Sequence, residues 1–339
     1  MGRLRHAVMN ARTDMQVVAV CDQRYAQPET LPDGVRAWTN YLDLLNEDLD
    51  VLFVCVPNYL APEVTIAGLS RGLHIFCEKP PGRDLADIVR VRAAERAHPD
   101  LRLMYGFNHR YHDSVREALR LIRSGEMGRV INMRGIYGKS QMIRFDADWR
   151  TQRAMAGGGI LLDQGIHMVD MMRLFAGEFV DIHSFISNDF WRHDVEDNAY
   201  ALMRTADGVV AFLHSSATQW RHRFHLEIAL ERGAIILSGI LSSTKSYGAE
   251  TITVVTKGDN DRGDPKEVTT RYNEDNSWRD EIAAFATAVH RGQPVVDGSS
   301  LEALRTMQLV YRVYCADEVW RTTYDLTDDV PEDVEGHAR

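Results

Sequence analysis

Along the first hundred residues, continuous apolar runs alternate with stretches of helical period. "VVAVCD" (17–22), "DVLFVCVP" (50–57), "HIFCEK" (74–79) and "LRLMYGF" (101–107) read as strands apolar on both faces. "APEVTIAGLSRG" (61–72) and "DLADIVRVRAAERA" (84–97) read as helices, the first stopped at Gly72. A turn-rich stretch with Pro28, Pro32 and Gly34 leads to a short helix near Leu42 to Leu45. Met1 to Arg12 reads as a basic amphipathic helix. Alternation of this kind predicts a parallel sheet with right-handed crossovers, a doubly wound α/β domain over 1–106.

Beyond Phe107 the rhythm changes. Two helices are expected, "HDSVREALRLIRSG" (112–125) and "GGGILLDQGIHMVDMMRLFAG" (157–177). Consecutive strands follow: 180–187, 198–205, 209–216, 224–231, 234–239, 251–256 and 267–272. Asp207-Gly208 marks a hairpin turn among them. Helices from about Trp278 and from Ser300 close the second domain, 107–323, an α+β unit on a large open, mainly antiparallel sheet. The acidic stretch 324–339 is expected to be mobile, having few apolar anchors.

Composition narrows the class. The 339 residues are 45% hydrophobic and 26% charged, as in ordinary globular proteins. A net charge of −10 argues against nucleic acid and anionic membranes as partners. No apolar run approaches the roughly 20 residues that cross a bilayer, and no signal-peptide core follows Arg3 and Arg5. The four cysteines lack metal-binding spacing, and three sit inside apolar runs. A reduced cytoplasmic protein without bound metal is expected.

Candidate chemistry collects at three places. "CEKPPG" (77–82) ends a strand, where parallel sheets bind ligands. Lys79 there is a cleft lysine or an exposed strand-end lysine, and its bond to Pro80 has access to the cis form. In "GGGILLDQGIH", Asp163 and His167 are four apart and share a helical face. That spacing suits either a general acid–base pair or a surface ion pair, and the glycines would let a ligand approach the backbone. "GFNHRYH" (106–112) places Asn108 and Arg110 at a cleft or between domains. Arg144, Trp149, Arg150 and Arg153, and further on Trp220, Arg221, His222 and Arg223, offer aromatic and cationic groups suited to a sugar or an anion, or to solvated loops.

EKP, GFNHR and GGGxLLDxGxH occur in that order behind a parallel α/β domain. The sequence thereby resembles the Gfo/Idh/MocA family of nicotinamide-dependent oxidoreductases over nearly its whole length. The resemblance implies a Rossmann domain binding NAD, with NADP possible, and a substrate domain whose open sheet forms a homo-oligomer. It implies Lys79, Asp163 and His167 as catalytic residues, with His167 accepting a proton and Lys79 touching the nicotinamide ribose and the reacting hydroxyl. It implies Gly2, Asp22, Val56, Pro57, Asn58, Glu78, Lys79 and Asn108 at the cofactor. Arg110, Trp149, Arg150, Arg153 and His167 would face a sugar or cyclic polyol, anionic if the arginines bind it.

The family's first strand and the early glycines of GxGxxG have no counterpart here. Gly2 stands where the last glycine would be, so a strand and turn are expected upstream of Met1. Asp22, placed to hydrogen-bond a ribose 2′-hydroxyl, favours NAD, and Arg24 tempers that preference. A non-catalytic dinucleotide- or sugar-binding protein is the alternative. A metal-dependent hydrolase using Asp163, His167, His193 and Asp194 lacks recognisable ligand spacing.

Overall fold

The computed structural model describes residues 1–142, 148–242, 246–258 and 263–331. Arg144 and residues 332–339 of the acidic tail lie outside them.

The first region runs α1 (Gly2–Asn10), β1 (Ala19–Cys21), β2 (Glu29–Thr30), β3 (Arg36–Trp38), α2 (Tyr41–Leu44), β4 (Val51–Val54), α3 (Ala61–Ser70), β5 (His74–Glu78), α4 (Leu85–Ala97) and β6 (Leu103–Gly106). Strands β4, β5 and β6 form one parallel sheet in that order. Ile75, Phe76 and Cys77 are fully buried, because helices and the C-terminal elements cover both faces. A separate sheet runs β1-β3-β2, with β1 and β3 parallel. Among the described residues, no strand joins the two sheets.

The second region runs α5 (Asp113–Ser124), β7 (Val130–Ser140), α6 (Arg153–Ala156), α7 (Ile166–Ala176), β8 (Phe179–Ser187), β9 (Asn198–Thr205), β10 (Val210–Gln219), β11 (Arg223–Leu230), β12 (Gly233–Ser238), β13 (Glu250–Thr256), β14 (Lys266–Tyr272), α8 (Ser277–Arg291), α9 (Ser300–Ala316) and α10 (Glu318–Thr323). Eight strands make one sheet in the order β14-β13-β12-β11-β7-β10-β9-β8, antiparallel except where β7 meets β10. Strand β7, at its centre, is one that the hydrophobic pattern does not predict. Its sequence, VINMRGIYGKS, is broken by two glycines that weaken the strand signal. Gly135 has a packing reason: a Cβ there would fall 2.4 Å from Met172 Cε on α7. The sheet thus brings α7 down onto itself.

One sheet face is covered by α7 and α9, whose Met168, Met171, Met172, Val310 and Val313 are fully buried. At ~1.5–3 kcal/mol for each buried side chain of this size, that contact fixes α7 firmly. Helix α8 crosses back to the first region, where Phe285 packs edge-on against Phe53 and Phe76. The site therefore lies between the C-terminal end of β5 and the start of α7, both held by core packing.

Candidate active site

Lys79 follows β5 directly, and its peptide bond to Pro80 is cis. Its ammonium donates a hydrogen bond to the backbone carbonyl of Asp163 and lies 3.8 Å from that residue's Oδ1. Arg150 Nε is 4.0 Å from the same carboxylate oxygen, and the Arg150 guanidinium stacks on Trp149 at 4.3 Å. Lys79, Asp163, Arg150 and Trp149 thus gather at one solvent-reached edge.

The Asp163 carboxylate faces Lys79 and Arg150, and no hydrogen bond joins it to His167 among the described residues. The helix expected from Gly157 begins later. Leu161–Gly165 is a π-helical turn that leads into α7, which changes the angular step between the two side chains. His167 instead lies under Phe107 and flat against His109, ring centroids 3.8 Å apart and planes at 11°. His167 is buried, and its Nδ1 has no hydrogen-bond partner among the described residues. Burial holds both imidazoles well below their ordinary pKa, with Lys79 and His112 adding to the effect. The pair is neutral at pH 7.

The three glycines are occupied by protein. A Cβ at Gly157 would fall 2.0 Å from the Arg83 carbonyl oxygen, and one at Gly159 would fall 2.1 Å from that of Glu196. Close chain crossing, not ligand approach, is what they permit here. Glu196, fully buried, accepts hydrogen bonds from the Gly159 and Leu161 amides and the Tyr314 hydroxyl. It caps the start of the segment that carries Asp163 and His167.

The cofactor-side candidates occupy the ends of β1, β4 and β5. The Asp22 carboxylate is gripped by Arg24 through two hydrogen bonds of 3.0 and 2.5 Å, which lower its pKa to about 2. Val56 and Pro57 are half-buried, and Asn58 Nδ2 donates to the Ala156 carbonyl at 2.7 Å. Gly2 opens α1, whose first turn has no side-chain cap, and sits beside Cys55. Glu78 is held from below by Arg5, at 2.6 Å. Arg5 is fully buried, pairs also with Glu281 at 2.7 Å, and packs on Phe76 and Trp278. Burial pushes Glu281 up to about 7 against the opposing pull of Arg5.

Other candidates are engaged elsewhere. Asn108 donates to Ser277 Oγ, and Arg110 is buried in a bidentate pair with Asp170, 2.7 Å on each arm, beside Glu302. The Arg153 guanidinium stacks on Tyr324 and Trp320, and its backbone N–H is taken by Asp194. With Arg83 and Tyr311 it lines a cavity of about 380 Å³ whose lining includes neither Lys79 nor Asp163. His222 Nδ1 accepts from the Ser140 amide, and Trp220 is exposed. Arg144 is outside the described residues. Sequence reasoning passed over Arg5, His109, Tyr137 and Glu196. His109 alone had a signal, since it stands inside the GFNHR motif.

The sequence profile described as "Oxidoreductase family, NAD-binding Rossmann fold" matches residues 1–107, and that of the "GFO/IDH/MocA C-terminal domain" matches residues 115–236. The chain belongs to the Gfo/Idh/MocA family. Its relatives include levoglucosan dehydrogenase of Pseudarthrobacter phenanthrenivorans, 30% identical over 179 residues, which are 52% of this chain and 44% of that protein. The chain thus spans less than half the length of that Gfo/Idh/MocA relative. A second, D-xylose 1-dehydrogenase (NADP(+)) 2 of Haloferax volcanii, is 26% identical over 88% of this chain and 90% of its own. The solved structure of levoglucosan dehydrogenase in complex with NADH and L-sorbose superposes with a TM-score of 0.80, at 21% identity over 94% of this chain and 93% of that one. It shares the Gfo/Idh/MocA fold described above.

Proposed function

We propose that this chain is an NAD(P)-dependent oxidoreductase acting on a secondary alcohol of a sugar, sugar derivative or cyclic polyol. The observation that carries the reading is an ammonium, Lys79, held on Asp163 at the C-terminal end of a parallel strand and near enough to the buried neutral imidazole of His167 to help depress its pKa. Family membership and dehydrogenase relatives support it.

The residues fit a dinucleotide. Asp22 offers a carboxylate at a strand end, α1 has an uncapped N-terminal turn, and His167 Nδ1 is a buried polar atom without a partner among the described residues. Asp22, Val56, Pro57, Asn58, Glu78 and Lys79 would hold it, and when bound it supplies the hydride acceptor. His167 is neutral and accepts the hydroxyl proton. Lys79, steadied by the Asp163 carbonyl, stabilises the negative charge that develops on that oxygen. Arg150 and Trp149 bound the substrate side, and their pairing suits a sugar or a sugar acid.

We further infer that a second copy of the chain covers the free face of the sheet. Phe185, Tyr200, Leu202 and Phe212 are exposed there in neighbouring registers of β8, β9 and β10. Among the described residues no helix is long and apolar enough to cross a membrane.

Titration with NADH and NADPH tests the cofactor reading. NADH is expected to bind more tightly, because Asp22 disfavours a 2′-phosphate. Failure to bind either would remove it. Light scattering tests the dimer, and a monomer at all concentrations would remove that part.

A further inference from the structure

His109 sits in the short turn after β6, buried, with hydrogen bonds at both ring nitrogens. Nδ1 lies 3.2 Å from Asn108 Oδ1, and Nε2 lies 3.1 Å from the Tyr137 hydroxyl. The direction of this chain of bonds is set at its far end. The Asp275 carboxylate only accepts, so Ser277 Oγ donates to it at 2.6 Å. Ser277 Oγ therefore accepts from Asn108 Nδ2, which turns the amide oxygen toward His109. His109 Nδ1 then carries the proton and donates, and Nε2 accepts from Tyr137. The ring has no free nitrogen and stays neutral.

Its face lies on His167 at 3.8 Å, within 11° of parallel. The other groups around His167 are cationic, titratable or apolar: Lys79 after β5, Arg5 on α1, His112 and Phe107. His112 is itself tied to Glu250 at 2.7 Å. No carboxylate pairs with His167 among the described residues, so an imidazolium formed there has only an aromatic face to stabilise it.

We propose that His109 is a positioning residue for proton transfer. Pinned at both edges, it fixes the plane of the His167 ring and stabilises the imidazolium through its π face. The role rests on the reaction proposed above. In that reaction the substrate O–H bond breaks and its proton goes to His167. The C–H bond breaks as the carbonyl forms, and a bound nicotinamide would supply the acceptor for the hydride released.

The test compares His109→Phe with His109→Leu in the full chain. Both lose the ring hydrogen bonds, and only Phe keeps an aromatic face. Steady-state kinetics give kcat, KM and the pH profile, and nitrogen NMR follows the titration of His167. His109→Phe should stay within about threefold of the wild-type kcat. His109→Leu should lose roughly 5- to 30-fold in kcat with KM unchanged. In the Leu variant, His167 should titrate at lower pH, and the acidic limb of the rate profile should move with it. If Phe and Leu variants titrate and turn over alike, the role of His109 is wrong and the reaction stands. A wild type inactive on every sugar and polyol tried, or His167→Ala without loss, overturns the reaction and this role together.

Discussion

The two walls of the cleft are built on opposite electrostatic plans. At the end of β5 the ionisable groups are cross-paired: Lys79 with Asp163, and beneath them Glu78 and Glu281 on Arg5. Across from it, His167, His109 and Tyr137 form a buried wall of neutral rings. The charged wall keeps its ions by supplying each with a counter-ion, because an unpaired buried charge is costly. The neutral wall keeps its imidazoles unprotonated mainly by burial, with neighbouring cations adding to the effect, which leaves an unprotonated base at neutral pH. The Lys79 ammonium is thus near enough to the neutral His167 imidazole to help depress its pKa, the arrangement on which the proposed reaction rests.

The sharpest way to break the charged wall is Arg5→Met, which strands two carboxylates. A loss of ~3–5 kcal/mol is expected, read by chemical denaturation. Adding Glu281→Gln should recover part of it, and strict additivity would contradict the coupling. Next in size, Lys79→Met should lower turnover by about 10²–10³-fold with native stability retained. A change confined to KM would reassign Lys79 to binding.

The neutral wall is probed by acid. His109 and His167 have depressed pKa values in the fold, so below about pH 6.5 the unfolded chain takes up protons that the native chain refuses. Stability should fall as pH drops through that value, and a thermal midpoint unchanged between pH 7.5 and 5 would contradict burial of neutral rings. The smallest effect lies at the cofactor edge. Asp22→Ser frees Arg24 and should shift preference toward NADPH by roughly tenfold, measured as the ratio of the two affinities.

The unequal legibility of the two walls follows from how they are made. Lys79, Asp163 and His167 stand in short motifs at strand and helix ends, where order along the chain already places them together. Arg5 does not: its partners are 73 positions away at Glu78 and farther still at Glu281, and nothing local in a basic N-terminal helix signals a buried ion. The Asp163–His167 spacing was visible, yet the π-helical turn between them redirected the carboxylate to Lys79. Strand β7 escaped because Gly135 serves packing against Met172 at the expense of strand propensity. Glu196, between two strands, has no sequence mark of the cap it provides.

Lys79 and His167 are proposed to serve hydride removal from a carbon bearing a hydroxyl. The most direct measurement follows NADH or NADPH formation, as absorbance at 340 nm, across a panel of sugars and cyclic polyols for wild type and His167→Ala. Turnover by wild type on at least one of them is expected, with a fall of about 10²–10⁴-fold in the variant and NADH affinity kept. Turnover that survives His167→Ala, or a wild type that binds NADH and oxidises none, would contradict the proposed role.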